Sequence, residues 1–250
     1  MEKNKEINKQ FGLIGRQIDY SFSRGYFAEK FKKENLVGYD YKNFDLPHIE
    51  DAKPLLKQTN LAGLNVTIPY KKEIMGFLDQ LSEEAKEIGA VNTLVFQKDG
   101  SILGANTDCF GFEKALKERV EKLPERALIL GTGGAAAAIE YVLKKNLIDY
   151  QFVSRNPKIG QLSYTDLHQK GFENIPLIIN TSPVGTFPNV DAAPDLPYHY
   201  LNQENILFDL IYNPKQTKFL KYGAQIGATT INGYSMLVYQ AEKAWELWNV

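Results

Sequence analysis

The passage from residue 127 to residue 146 constrains the fold more than any other stretch. Ala127-Leu128-Ile129-Leu130 is a short apolar run that enters Gly131-Thr132-Gly133-Gly134. An alanine-rich helical stretch follows over residues 135–145, with Asn146 as its C-cap. Strands that read as continuous apolar runs are buried on both faces, the condition of a parallel sheet covered by helices. The same kind of run returns at residues 151–153, 177–179 and 206–208, and the last two end in polar clusters. Strands alternating with helices predict a doubly wound α/β domain for this half.

Gly131-x-Gly133-x-x-Ala136 fits the dinucleotide-binding fingerprint in its variant with alanine in third place. The chemistry needs bare backbone beside a pyrophosphate and a helix N-terminus aimed at it. Gly131, Thr132, Gly133, Gly134 and Ala135 therefore form the candidate phosphate loop. Alone, such a pattern also fits a glycine-rich turn without a ligand; the strand before it and the helix after it favour the cofactor. The next strand selects which cofactor. An acid there would bind the ribose 2′-hydroxyl of NAD, but this chain has Val153-Ser154-Arg155-Asn156-Pro157-Lys158. Arg155 suits a 2′-phosphate, with Ser154, Asn156 and Lys158 assisting, so NADP is expected over NAD.

The first half reads differently. Residues 11–15 predict a short buried strand. Ser23 can cap a helix to about residue 35, with Tyr26, Phe27 and Phe31 on one face. Residues 36–41 and 62–68 predict two more strands, the second stopping at Pro69, and a helix is expected over 71–80. Strands at 91–96 and 102–105 flank Lys98-Asp99-Gly100, a hairpin signal. The sheet is thus expected to be mixed and mostly parallel, with an antiparallel pair at one edge. Residues 235–248 predict a long amphipathic helix that follows the nucleotide domain yet can pack back on the first half.

Two polar blocks carry the chemistry. Asn65-Val66-Thr67-Ile68-Pro69-Tyr70-Lys71 and Gly104-Ala105-Asn106-Thr107-Asp108 supply a lysine and an aspartate among amides and hydroxyls. Beside a dinucleotide loop, they suggest an enzyme that moves a hydride and a proton. Asn65, Thr67, Asn92, Asn106 and Thr107 suit a polyhydroxylated substrate. Other chemistries are disfavoured. Cys109 is the single cysteine, which excludes internal disulfides and a cysteine-built zinc site. The three histidines lie in no motif, so neither histidine acid–base chemistry nor a metal is expected. A formal net charge of -1 gives no electrostatic footprint for nucleic acid or an anionic membrane. The mixed charges of residues 1–6 lack the apolar core of a signal peptide, and no apolar run approaches the roughly 20 residues that span a bilayer. A cytoplasmic enzyme is expected.

In these blocks the chain resembles the shikimate dehydrogenases over nearly its whole length. The lysine and aspartate blocks match that family's catalytic blocks. Gly89-Ala90-Val91-Asn92-Thr93 matches the block between them, and Asn180-Thr181-Ser182-Pro183-Val184-Gly185 resembles its loop on the nicotinamide side. Residues 208–214, with Thr217, and residues 232–241 match the late blocks. The resemblance implies Lys71 and Asp108 as the acid–base pair. It implies Ser21 and Ser23 for the substrate carboxylate, on the expectation that hydroxyls at alternate positions share one side of an extended strand. Asn65, Thr67, Asn92, Thr107, Asp108 and Gln240 would hold the ring, with Tyr212 near the carboxylate or the nicotinamide. Thr181, Ser182, Leu210 and Gly233 would line the cofactor. Two departures stand out: Arg24 replaces the usual proline after the second serine, with the usual nearby histidine absent, and Thr186 stands where a methionine is common. The chemistry agrees with these roles. Reducing a ketone requires hydride on carbon and a proton on oxygen. A lysine is protonated at neutral pH, and a nearby carboxylate favours that form, which can donate to a developing alkoxide.

The expected organisation is a substrate domain of residues 1–106 plus 232–250 and a Rossmann-like NADP-binding domain of residues 107–231. The implied reaction is the reversible reduction of 3-dehydroshikimate to shikimate by a monomer or homodimer. Quinate use and a silent NADP-binding regulator are the alternatives. A short-chain dehydrogenase fits less well: its Tyr-x-x-x-Lys pattern occurs three times, at Tyr26/Lys30, Tyr141/Lys145 and Tyr239/Lys243, as chance allows among 14 tyrosines, and its glycine loop would lie near the N-terminus. A methylenetetrahydrofolate dehydrogenase shares the architecture and a lysine but not the serine pair or the late blocks. One charge-assisted hydrogen bond of about 1.5–3 kcal/mol gives roughly a 10- to 150-fold preference. Arg155→Asp should therefore abolish the preference for NADP over NAD in steady-state assays with both cofactors; an unchanged ratio removes Arg155 from that role.

Overall fold

The structure, a computed structural model, describes residues 9–19 and 21–249. Residues 1–6, read above as lacking a signal peptide's apolar core, and Tyr20 beside the serine pair lie outside them. The chain divides into two compact units, one ending at Thr107 and resuming at Ala241, the other running from Asp108 to Gln240.

The first unit contains β1 (Lys9–Gly15), α1 (Phe22–Lys33), β2 (Tyr39–Asp45), α2 (Ala52–Leu56), β3 (Leu61–Val66), β4 (Gln80–Leu81), α3 (Glu83–Ile88), β5 (Thr93–Phe96) and β6 (Ile102–Ala105). Its sheet has the order β2-β1-β3-β5-β6-β4. β1 pairs in parallel with β2 and β3, whereas β5 is antiparallel to both β3 and β6. β4 then pairs in parallel with β6. The expected antiparallel pair is present, but it does not form the edge; the two-residue β4 does. Chain order moves from β1 outward to β2 and then to β3 on the other side, so the ends of β1 and β3 form a switch point.

Both faces of this sheet are covered. Phe11 and Leu13 of β1 join Phe27, Phe31, Tyr41, Ala241, Ala244 and Trp248 on one face. Ile14 joins Leu55, Leu64, Val66, Ile74, Val91 and Leu94 on the other. Residues 91 and 92 precede β5 rather than opening it. The strand expected at 36–41 begins at Tyr39, because Asn35 and Gly38 take positive φ and turn the chain. The helix expected over 71–80 is a 3-10 turn at Glu73–Phe77, too short to set a helical face around the exposed Gly76.

The second unit contains α4 (Asp108–Lys117), β7 (Arg126–Leu130), α5 (Gly134–Lys145), β8 (Asp149–Ser154), β9 (Leu162–Ser163), α6 (Tyr164–Lys170), β10 (Leu177–Asn180), β11 (Ile206–Asp209), α7 (Lys218–Gln225), β12 (Thr229–Ile231) and the first half of α8 (Gly233–Trp248). The sheet order is β12-β11-β10-β7-β8-β9, parallel throughout. That is the doubly wound order of a Rossmann fold, with its reversal between β7 and β10. β7 and β10 are buried along most of their length, as their apolar runs require.

The division between units falls inside α8, not before residue 232. Early α8 packs within the second unit: a Cβ on Gly111 of α4 would meet the Met236 carbonyl at 2.5 Å. Late α8 packs within the first, where the Trp248 indole Nε1 donates to the Leu94 carbonyl at 2.9 Å. That indole lies over Gly63 of β3, where a Cβ would meet it at 2.4 Å. Gly63→Ala should therefore cost about 1–3 kcal/mol of stability by overpacking. Urea unfolding measures it; a change below about 0.5 kcal/mol, the scale of a neutral surface change, would mean the helix does not bear on this position.

Candidate active site

At the β1–β3 switch point, the loop after β3 lies against the end of β1. Thr67 N donates to the Ile14 carbonyl at 2.9 Å, and Arg16 N donates to the Ile68 carbonyl at 3.3 Å. Gly15 permits this approach, since a Cβ there would stand 2.6 Å from the Thr67 methyl. Thr67 and Lys71 are half-buried beside buried Tyr70, whose hydroxyl donates to the Leu46 carbonyl at 2.6 Å. The Lys71 carbonyl accepts from Val91 N at 2.7 Å, so the lysine segment is joined to the chain entering β5.

A buried amide network underlies these residues. Asn65 Nδ2 donates toward the Asn92 carbonyl and Thr93 Oγ1 at 3.3 and 3.4 Å, and Asn65 Oδ1 accepts from the Tyr41 hydroxyl at 2.8 Å. Asn92 Oδ1 accepts from Thr107 N at 2.7 Å, and its Nδ2 donates to Thr107 Oγ1 at 3.0 Å. Asn106 Nδ2 donates to the Ala90 carbonyl at 2.9 Å. Asn65, Asn92 and Thr107 are therefore held in one array with protein partners of their own. Asp108 follows directly in the chain and opens α4; it is 9% exposed.

The serine pair is arranged differently from the expectation. Ser21 occupies the N-cap position of α1 without a capping side-chain bond, and Ser23 lies in the first turn. The alternating extended geometry is therefore incorrect here, and so is Ser23 as the cap. Just before the helix opens at Phe22, Ser21 N donates to the Ile18 carbonyl at 3.0 Å. Both hydroxyl residues are half-buried.

The second unit assembles the glycine loop at its own switch point. Gly131 takes φ of +106°, and a Cβ there would stand 3.0 Å from Thr181 Oγ1. Thr181 Oγ1 donates to the Leu130 carbonyl at 2.9 Å, which joins the ends of β7 and β10. Gly133 is the N-cap of the twelve-residue α5, with no acidic residue in the first turn. Thr132, Gly133 and Gly134 are exposed, and a Cβ on either glycine would meet nothing within 4 Å. Half-buried Ala135 and buried Ala136 continue the helix. Exposed amides at a helix N-terminus, beside a loop without side-chain obstruction, fit a dinucleotide pyrophosphate. Beyond β8, Ser154 Oγ accepts from Asn156 N at 3.2 Å, and Arg155 and Lys158 are exposed. Ser182 Oγ donates to Asn180 Oδ1 at 2.6 Å. Gly233 packs on Leu210, where a Cβ would stand 2.0 Å from the carbonyl oxygen. Half-buried Tyr212 lies just beyond Leu210. Gln240 is buried in α8, its Nε2 donating to the Leu237 carbonyl at 2.8 Å.

Comparison with known proteins agrees with this chemistry. Residues 13–94 match the model of the shikimate dehydrogenase substrate binding domain. Shikimate dehydrogenase (NADP(+)) of Methanococcus maripaludis is 36% identical over 96% of this chain and 91% of its own. The chain belongs to the shikimate dehydrogenase family. A solved shikimate dehydrogenase in complex with NADP+ shares 35% identity with a TM-score of 0.81, covering 99% of this chain and 91% of that one. Shikimate 5-dehydrogenase of Thermus thermophilus, in complex with NADP(H) and shikimate, shares 29% identity with a TM-score of 0.82, covering 96% of this chain and 93% of that one.

The departures from the shikimate dehydrogenase pattern have defined places. Arg24 is exposed on α1, its guanidinium donating to the Asp19 carbonyl at 3.4 Å. Thr186 Oγ1 donates to the Asn213 carbonyl at 3.4 Å. Among the described residues no helix is long and apolar enough to cross a membrane.

Sequence reasoning assigned no role to Asp209, Asn180 or the Thr217 hydroxyl, which form a buried knot at the ends of β10 and β11. Asp209 accepts from Thr217 Oγ1 at 2.6 Å, Asn180 Nδ2 at 3.0 Å and Ile211 N at 3.1 Å. Burial nevertheless pushes its pKa up to about 6, against those three donors. The folded state therefore binds this proton more tightly than the unfolded chain does. Its contribution to stability is fully present below about pH 4 and is lost as pH rises through about 6. Asp209→Asn keeps a hydrogen-bonding partner for each of the three groups and removes the charge. Unfolding free energies from pH 4 to 7 should show the wild type losing up to roughly 3 kcal/mol relative to the variant; parallel curves would exclude a raised pKa for the buried Asp209.

Proposed function

We propose that this protein catalyses the reversible, NADP-linked reduction of 3-dehydroshikimate to shikimate. The observation that carries this reading is the near-full-length likeness to shikimate dehydrogenases named for NADP(+), joined to a loop in which Arg155 replaces the acid of NAD-binding chains. Gly131, Thr132, Gly133, Gly134 and Ala135 hold the pyrophosphate. Ser154, Arg155, Asn156 and Lys158 hold the 2′-phosphate. Thr181, Ser182, Leu210 and Gly233 line the nicotinamide half. When bound, NADPH supplies the hydride for the carbonyl carbon.

The chain's own residues supply the rest. The Lys71 ammonium donates a proton to the oxygen as it becomes an alkoxide, and Asp108 accepts from a ring hydroxyl. In the oxidative direction, Lys71 accepts the proton. Ser21 and Ser23 donate to the carboxylate, and Asn65, Thr67, Asn92, Thr107 and Gln240 fix the ring, with Tyr212 beside the carboxylate or the nicotinamide. The unit that ends at Thr107 and resumes at Ala241 takes the substrate and the unit Asp108–Gln240 takes NADP, with α8 shared. The enzyme acts in the cytoplasm as a monomer or homodimer, within aromatic amino-acid synthesis through chorismate.

Positioned proton transfer contributes about 10²- to 10⁴-fold. Lys71→Ala should lower kcat at least about 10²-fold while shikimate still binds, as seen by quenching or calorimetry. Turnover near that of the wild type would remove Lys71 from the chemistry. The same assay run with quinate and with NAD separates a broader quinate-using enzyme from this one.

A further inference from the structure

The turn that carries the serine pair leaves β1 at Gly15 and enters α1 at Phe22. Within it Gln17 takes φ of +57°, the left-handed region that residues other than glycine rarely adopt. Such a conformation persists where surrounding contacts over-determine it. Here two of those contacts are side chains of β2. Gln17 N donates to Asp45 Oδ1 at 2.9 Å. Asn43 Nδ2 donates at 2.7 Å to the carbonyl of buried Ile18, which also accepts from Ser21 N at 3.0 Å. Asn43 Oδ1 is buried without a hydrogen-bond partner among the described residues, so the bond to Ile18 sets the direction of this amide. Alternate residues of a strand share a face. One face of β2 thus offers a donor and an acceptor, two residues apart, to consecutive residues of the turn. Backbone bonds fix the points just before it: Leu46 N donates to the Gly15 carbonyl at 2.9 Å, and Arg16 N to the Ile68 carbonyl at 3.3 Å.

We propose that Asn43 and Asp45 are positioning residues for the substrate carboxylate, clamping the backbone at residues 17 and 18 and so setting where Ser21 and Ser23 present their hydroxyls. This rests on the reading of Ser21 and Ser23 as the carboxylate site. The Ile18 carbonyl is the link: Asn43 fixes the acceptor that receives Ser21 N, and Ser21 stands at the N-cap position of α1. Ser23, in the first turn, is carried with the helix. Asp45 acts one residue earlier, where it holds the left-handed Gln17 that aims the chain back toward β2. The clamp matters in this chain because Arg24 stands in place of the usual proline, so no ring fixes φ directly after Ser23. Binding sites held in advance lose less freedom when the ligand arrives, which lowers the concentration needed to fill them.

Asn43→Ala removes the donor and Asp45→Ala the acceptor, whereas Asp45→Asn keeps an oxygen for Gln17 N. Each alanine variant should raise KM for shikimate about 3- to 10-fold, the scale of one net hydrogen bond. kcat should stay within about threefold and the KM for NADP should not move, since the chemical groups and the cofactor loop are untouched. Asp45→Asn should return the KM for shikimate to within about twofold of the wild type, because the hydrogen bond and not the charge is what holds the turn. The decisive readout is coupling: in a Ser21→Ala background, Asn43→Ala should raise KM much less than it does alone. Where Asn43→Ala does not fold, exposed Asp45 carries the same comparison. An unchanged KM in active alanine variants overturns this inference alone. So does an equal penalty with and without Ser21, or a rise in both KM values with a falling Tm, which would mark the pair as general scaffold. A wild-type protein that turns over no shikimate overturns this inference together with the function it rests on.

Discussion

The buried carboxamide of Asn92 is the interaction on which the substrate-side geometry depends. Its backbone donates to Ala105 and accepts from Val66, and its side chain holds Thr107 by both backbone and hydroxyl. A buried amide group left unpaired costs about 1–3 kcal/mol, so burial of this one is favourable because it is paired. Here its use joins the ends of β3 and β6 to the chain entering β5. Lys71 follows the first of these strands, and Asp108 follows Thr107 beyond the second. The reversal of β5 makes this possible, because an antiparallel strand between β3 and β6 brings its start to the ends of both neighbours.

The second unit solves a different problem with glycine. Gly131 is needed for its backbone: its φ is positive, and Thr181 stands where a side chain would go. Gly133 and Gly134 are free of protein neighbours in that direction, so their bareness serves the space above the helix rather than the packing below it. Gly233 is the extreme case, with the Leu210 carbonyl inside the reach of any Cβ. One motif thus combines structural and ligand-facing glycines, which a pattern of letters does not separate. Asp209 contributes a third device, a desolvated carboxylate whose three donors fasten β10, β11 and the following turn at some cost to stability at neutral pH.

Much of both folds was legible in local chemistry, and the misses share a cause. The apolar runs at β7, β10 and β11 and the helix α5 were readable because each run is either buried on both faces or long enough to show a helical period. The short helices α3, α6 and α7 were not, although each carries a capping serine or threonine: Ser82, Ser163 and Thr217 accept from backbone amides three residues on. Six to eight residues show too little periodicity to stand out, and their caps look like ordinary loop polarity. The 3-10 turn at Glu73–Phe77 was read as a helix for the converse reason, since apolar spacing alone does not distinguish an isolated turn from the start of a longer one.

By itself, the sequence determined the class of both sheets, the dinucleotide loop and the residue types that chemistry demands, because turns, caps and buried runs act over a few residues. Tertiary structure alone decided which of those residues stand on a common scaffold. Asn43 lies outside the strand expected at 36–41 until β2 runs on to Asp45 and sets it against the Ile18 carbonyl, and Asp209 reads as a loop acid until its three donors converge from separate elements. Hydrogen-bond partners distant in sequence are chosen by strand order and register, and those follow from how whole sheets pack.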